Sequence, residues 1–146
     1  SAAPLAQFMY HYLHQIMDDV VLVSNTTGDV FEEIARIGEK DVLVGISYPR
    51  YSKRTLECMR FARQNGAQVV GFTDGEMSPV YQMSECSLIV RNEMISFVDS
   101  LAAPMSMLNA LILATAHKKG EDVAASFSEL ENVWERFDIF GKIKDE

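Results

Sequence analysis

Residues 41–80, DVLVGISYPRYSKRTLECMRFARQNGAQVVGFTDGEMSPV, decide the fold. Two apolar runs rich in β-branched residues, 41–47 and 68–74, stand on either side of a segment at 53–65 that a serine can cap and a glycine can end. Neither run alternates apolar with polar residues, which predicts strands covered on both faces. A strand, a helix and a second covered strand form one unit of a parallel sheet.

The same alternation of strand and helix continues on both sides of this unit. Runs at 20–24 and 86–92 predict two further strands. Helices are predicted at 4–18, 30–37, 53–65, 79–84, 99–118 and 122–138. The order predicts a doubly wound α/β fold, with a mostly parallel five-stranded sheet flanked by helices. Such a fold begins with a central strand, whereas this chain begins like the loop before a helix, so we expect the first strand to be absent from the chain.

The composition predicts one soluble globular domain of 146 residues, 48% hydrophobic and 23% charged. A net charge of -8 argues against a nucleic-acid surface on this chain, because phosphate contacts need a positive field. The longest strongly apolar stretch, 110–116, is far shorter than the roughly 20 residues of a membrane span, and no leader is recognisable, so a cytoplasmic location is expected. Cys58 and Cys86 lack metal-binding spacing and are expected to be reduced.

Polar residues follow the predicted strands, at the edge where open parallel sheets bind ligands. The corresponding loops are 24–29, 47–52, 73–78 and 92–100. The second is the richest, since Ser47 ends its strand with a hydroxyl, Ser52 opens a helix and Arg50 supplies a planar cation. Lys53 and Arg54 add positive charge. This loop predicts an anion site, with the alternative that its serines only end a strand and cap a helix while Arg50 is solvated.

Three segments carry a family resemblance. Residues 41–80, the strand CSLIV and the segment SFVDSLAAPMSMLNALI resemble a SIS (sugar isomerase) domain, most closely that of RpiR/MurR-type transcriptional regulators. The resemblance implies that Ser47 and Ser52 lie in the loop that holds the phosphate of a phosphorylated sugar. It also makes Ser1 a candidate ligand contact, because SAAPLAQF resembles the segment after the family's first strand. A helix-turn-helix domain is then expected upstream, outside this single SIS-type domain.

The anion loop departs from the general SIS pattern S-x-S-G-x-T. Pro49 takes the place of the second serine, and Arg50 takes the place of the glycine. One hydroxyl is lost and a guanidinium is gained. The departure leaves the ligand open between a phosphate that is held differently and a sugar that bears a carboxylate.

Other loop residues are weaker candidates. Thr26 and Thr27 are free to face a ligand, and Ser96 and Ser100 resemble family positions near the ligand. Glu93 is the carboxylate to test as a base if the protein were an isomerase. His11 and His14, three residues apart on a predicted helix, are expected to have a surface or dimer-contact role, and no metal or cofactor is expected.

The sequence favours a non-catalytic sensor, the effector-binding domain of a bacterial regulator that responds to a sugar phosphate or sugar acid. DNA contacts would belong to the upstream domain, and no membrane contact is expected. The helix at 99–118 is apolar on two sides, which predicts a homodimer or a dimer of dimers. The alternatives are a sugar-phosphate isomerase of the same fold and a domain whose site has decayed into an assembly surface.

Overall fold

The computed structural model describes residues 2–24, 29–92, 97 and 99–140. Its elements, in chain order, are α1 (Ala3–Leu13), α2 (Val30–Glu33), β1 (Val42–Ile46), α3 (Lys53–Gln64), β2 (Gln68–Thr73), α4 (Pro79–Met83), β3 (Cys86–Ile89), α5 (Ala102–Lys119) and α6 (Glu121–Arg136). The strands form one parallel sheet in the order β1-β2-β3. The predicted α/β class, a parallel sheet flanked by helices, is confirmed.

Helices cover both faces of this sheet. On one face, α1 and α5 pack on β1 and β2 through Leu5, Ile46, Phe72 and Leu108. On the other face, α3 and α4 pack on β2 through a second cluster. Its buried members are Met59, Ala62, Ala67, Val69 and Val80. Burial on both faces is the reason that the strand sequences do not alternate.

Two glycines allow the close approach of α3 and α4 to the sheet. A Cβ atom at Gly45 would overlap the buried side chain of Met59, and one at Gly71 would overlap the hydroxyls of Ser84 and Ser87. The hydrogen atom of glycine is therefore required at the centre of β1 and β2.

The predicted strand at 20–24 is not formed. Val20 packs against the cluster of Leu13, Ile16 and Ile112, whereas Val23 packs against the separate cluster around Val30. The segment thus runs between two clusters without regular secondary structure, and Val20 and Val23 serve packing and not strand pairing. The three strands described fit a shortened form of the predicted five-stranded sheet.

Several helices differ in length from the prediction. α1 ends at Leu13 although its apolar periodicity continues, because a turn then places Ile16 in the same buried cluster as Leu13. α5 begins at Ala102, three residues later than predicted, and α2 covers only Val30–Glu33. Periodicity reports which residues are buried, and a turn can satisfy it as well as a helix can.

The last two helices leave apolar surface uncovered. α5 buries Pro104, Leu108 and Ile112, while Leu113 on its other side is 69% exposed. α6 follows α5, and Phe127 and Val133 on it remain exposed. Exposed apolar surface of this kind is typical of protein interfaces, and the homodimer therefore stays a prediction.

Two expectations from composition can be compared with the structure. Both cysteines are free thiols. Within the part of the chain that the structure describes, no helix combines the length and the apolar character needed to cross a bilayer.

Candidate functional site

The candidate site lies where β1 and β2 end. The backbone N–H of Ser47 donates to the carbonyl of Phe72 at 3.1 Å, and the Thr73 hydroxyl donates to the carbonyl of Ser47 at 2.9 Å. Ser47 and Thr73 are both buried. These bonds extend the pairing of the two strands by one residue and fix the point at which the chain leaves the sheet.

A short turn then joins β1 to α3, and we call residues 47–52 the anion turn. The Ser52 backbone N–H donates to the Ser47 hydroxyl at 3.0 Å, and the Ser52 hydroxyl accepts from the Thr55 backbone N–H at 3.3 Å. The hydroxyl hydrogen of each serine remains available for another acceptor. The backbone N–H groups of Lys53 and Arg54 have no acceptor within the described residues, so the start of α3 can bind an anion.

Capping by Ser52 can be tested on its own. Ser52→Ala is expected to lower the free energy of unfolding by about 1 kcal/mol, because the Thr55 N–H loses its acceptor. Urea unfolding measures the change. Ser128→Ala, at an exposed position within α6, is the matched control and is expected to leave stability nearly unchanged. Equal unfolding midpoints for Ser52→Ala and the parent chain would contradict the capping role.

Arg50 lies at the outer end of the anion turn in an uncommon backbone conformation. Its φ is 72°, in the left-handed region that costs a non-glycine residue about 1 kcal/mol. Its side chain is 80% exposed, and one guanidinium nitrogen is 4.0 Å from the Asp99 carboxylate. The strained conformation therefore presents a planar cation to solvent while connecting the turn to the segment that precedes α5.

Lys53 and Arg54, the two cations in the first turn of α3, have different surroundings. Arg54 donates to the Asp29 carboxylate at 3.0 Å, and the same carboxylate caps α2 by accepting from the Phe31 backbone N–H. Arg54 thus connects α3 to the start of α2 through an exposed ion pair. Lys53 has no ion pair among the described residues and is exposed, so it contributes to the field around the turn.

Sequence reasoning missed a polar cluster beside the anion turn. The Tyr51 hydroxyl donates to Asp74 Oδ1 at 2.9 Å, and the Thr73 hydroxyl oxygen lies 3.1 Å from the same atom. Burial, and then the hydrogen bond and charge of Asp74, raise the pKa of Tyr51. The available signal was the position of Asp74, directly after the strand β2.

Tyr48 is the second residue that sequence reasoning missed. Its side chain is 7% exposed, and its hydroxyl has no hydrogen-bond partner within the described residues. Burial, and to a lesser extent the nearby Asp74 carboxylate, raise the pKa of Tyr48 to about 12. At neutral pH the phenol is therefore a neutral donor.

The remaining candidates fall into two groups. Ser1, Thr26, Thr27, Glu93 and Ser96 lie outside the described residues. Ser100 is exposed and directly follows Asp99, the residue near the Arg50 guanidinium. Ser47, Arg50 and Ser52 are brought together in the anion turn.

His11 and His14, at the end of α1, have no contact with the anion turn among the interactions of the described residues. His11 is exposed and forms a hydrogen bond with Gln15 at 3.2 Å, and the ring of His14 stacks on Tyr10. Among residues 2–24, 29–92, 97 and 99–140, no group of His, Cys, Asp or Glu side chains could hold a metal ion.

Comparison with known proteins identifies the family of the chain. The sequence model of the SIS domain matches residues 1–114. The chain belongs to the SIS domain family. An uncharacterized HTH-type transcriptional regulator of Haemophilus influenzae is 30% identical to this SIS domain over 99 residues, which are 66% of the chain and 34% of the regulator. The chain spans about a third of the length of the curated relatives that it matches.

Solved structures share the fold. The sugar isomerase domain of an RpiR transcription factor from Sphaerobacter thermophilus superposes with a TM-score of 0.82 at 20% identity, over 89% of this chain and 73% of that one. The Vibrio vulnificus NanR protein in complex with ManNAc-6P gives a TM-score of 0.77 at 15% identity, over 97% of this chain and 53% of that one. At these identities the likeness shows the fold alone.

Proposed function

We propose that this SIS domain is the phosphosugar-binding effector domain of a bacterial RpiR-type transcriptional regulator, and that it binds its ligand without converting it. The anion turn carries the proposal, because a chain with a net charge of -8 here combines two serine hydroxyls, free helix N–H groups and Arg50. Two further findings support it. The curated relatives are HTH-type regulators, and NanR, a structural neighbour, binds a sugar phosphate.

The phosphate would be held by groups of three kinds. The Ser47 and Ser52 hydroxyls donate from the turn, and the Lys53 and Arg54 backbone N–H groups donate from the start of α3, whose dipole favours an anion. Arg50 would supply a charge-assisted, bidentate contact. The site would be completed by Ser100 and by residues outside the described part of the chain. These are Ser1, Thr26, Thr27 and Ser96.

The ligand would act on the regulator through a shift between two arrangements of its subunits. Arg50 lies 4.0 Å from Asp99, which is just ahead of α5. A phosphate that draws Arg50 away from Asp99 would alter the start of a helix whose other side is exposed. We propose that α5 and α6 form the contact of a homodimer or a dimer of dimers, and that a helix-turn-helix domain upstream contacts DNA in the cytoplasm.

A panel of sugar phosphates tests the function. One member is expected to raise the melting temperature of the purified chain, because a ligand at 100 times its Kd stabilises the folded state by about 2.7 kcal/mol. Differential scanning fluorimetry measures the shift, with inorganic phosphate and the unphosphorylated sugars as controls. The same samples are assayed for isomerised product. Ligand sensing would be contradicted if no sugar phosphate stabilised the chain. Turnover of a sugar phosphate would contradict the sensor and support the isomerase function instead.

A further inference from the structure

The Asp74 carboxylate is hydrogen-bonded to the anion turn. Tyr51, which lies between Arg50 and Ser52, donates its hydroxyl to Asp74 Oδ1 at 2.9 Å. The Thr73 hydroxyl oxygen lies 3.1 Å from that same oxygen. The second oxygen, Oδ2, has no partner within the described residues and can accept up to two hydrogen bonds. A negative charge therefore stands beside a turn suited to bind an anion, and it is held in one orientation.

Tyr48 offers a donor near this acceptor. Its side chain is 7% exposed and its hydroxyl has no partner within the described residues, although buried polar groups are nearly always hydrogen-bonded. Tyr48 and Asp74 directly follow Ser47 and Thr73, which are hydrogen-bonded to each other where β1 and β2 end, so the two residues leave the sheet next to each other. A donor and an acceptor side by side match the hydroxyl groups of a sugar, since each hydroxyl both accepts and donates.

The charges around the turn decide which sugar fits. Arg50 is near Asp99, Arg54 is paired with Asp29, and Lys53 and Asp74 supply one further charge of each sign. The formal charges of these three cations and three carboxylates cancel before a ligand binds. One phosphate can be held by hydrogen bonds and the start of α3, but a second anionic group on the same sugar would meet Asp74 and be repelled.

We propose that Asp74 and Tyr48 form a hydroxyl-binding subsite next to the phosphate, and that this site selects sugar phosphates without a carboxylate over phosphorylated sugar acids. The inference rests on the proposed function. It would resolve the choice that the substitution of Arg50 into the family pattern leaves open, because Asp74 places a negative charge beside the anion turn.

The test compares glucose 6-phosphate with 6-phosphogluconate, which differ at one end by a carboxylate, together with N-acetylated hexosamine 6-phosphates. Isothermal titration calorimetry on the purified chain is expected to show at least about tenfold tighter binding for the tightest sugar without a carboxylate than for 6-phosphogluconate. Asp74→Asn keeps the acceptor for Tyr51 but removes the charge. It is expected to reduce that preference by about tenfold or more, because the carboxylate of 6-phosphogluconate no longer meets a negative charge.

Tyr48→Phe is the second variant, and it separates binding from folding. Removal of a buried hydroxyl that has no partner is expected to leave the melting temperature of the free chain equal or higher, while affinity for the sugar falls about tenfold. A wild-type preference for 6-phosphogluconate would overturn this subsite. So would an unchanged preference in Asp74→Asn together with an unchanged affinity in Tyr48→Phe. In either case the phosphosugar function would stand. Failure of the wild-type chain to bind any sugar phosphate more tightly than inorganic phosphate would overturn the proposed function itself.

Discussion

Arg50→Ala is expected to weaken the binding of the sugar phosphate by ten- to a hundredfold. The Arg50 side chain is 80% exposed at the outer end of the anion turn, where a phosphate can accept from two of its N–H groups. Loss of a charge-assisted bond costs about 1.5 to 3 kcal/mol, which corresponds to that range of affinity. Isothermal titration calorimetry at fixed ionic strength measures the change, because surface charges are screened by salt.

The backbone at Arg50 calls for a second variant. Alanine keeps the strain of a φ of 72°, whereas glycine adopts this conformation without cost. Arg50→Gly is therefore expected to lose affinity as Arg50→Ala does, yet to be more stable than Arg50→Ala by up to about 1 kcal/mol. Arg60→Ala, at an exposed position on α3, controls for the loss of one positive charge. Equal affinities for Arg50→Ala and the parent chain would remove Arg50 from the site.

The fold was predictable where periodicity and burial coincide. The run at 41–47 and the run at 68–74 became β1 and β2, because both are covered by helices on both faces. The run at 20–24 has the same composition but forms no strand. Val20 and Val23 pack into two separate clusters, and composition does not report which backbone groups pair.

The site was predictable only in part. The contact between Ser47 and Ser52 follows from their places at the end of a strand and the start of a helix, five residues apart. The contact between Tyr51 and Asp74 joins residues 23 apart on different loops, and no periodicity encodes it. The positive φ at Arg50 was equally hidden, since arginine is not a residue type that favours the left-handed region.

Phe72→Ala is expected to have the largest effect on stability. Phe72 is fully buried in β2, the strand that pairs on both sides, with Ile46 and Leu88 as its neighbours in register. Truncation of a buried phenylalanine costs about 3 to 5 kcal/mol, a large share of the roughly 5 to 15 kcal/mol that stabilise a domain. Urea unfolding followed by circular dichroism measures the loss. Phe97→Ala, at a position 91% exposed, is the matched control and should change stability by less than about 0.5 kcal/mol.

The same variant tests whether the core and the site are independent. The backbone carbonyl of Phe72 accepts from Ser47 at 3.1 Å, and that bond survives the loss of the side chain, although the ring shares a core cluster with Tyr48. The folded fraction of Phe72→Ala should therefore bind the sugar phosphate nearly as tightly as the parent chain does. Excess ligand should then raise its unfolding free energy by the same amount as for the parent chain. A cost below about 1 kcal/mol would show that Phe72 does not anchor the core, and a smaller ligand-induced gain would show that the ring also positions the anion turn.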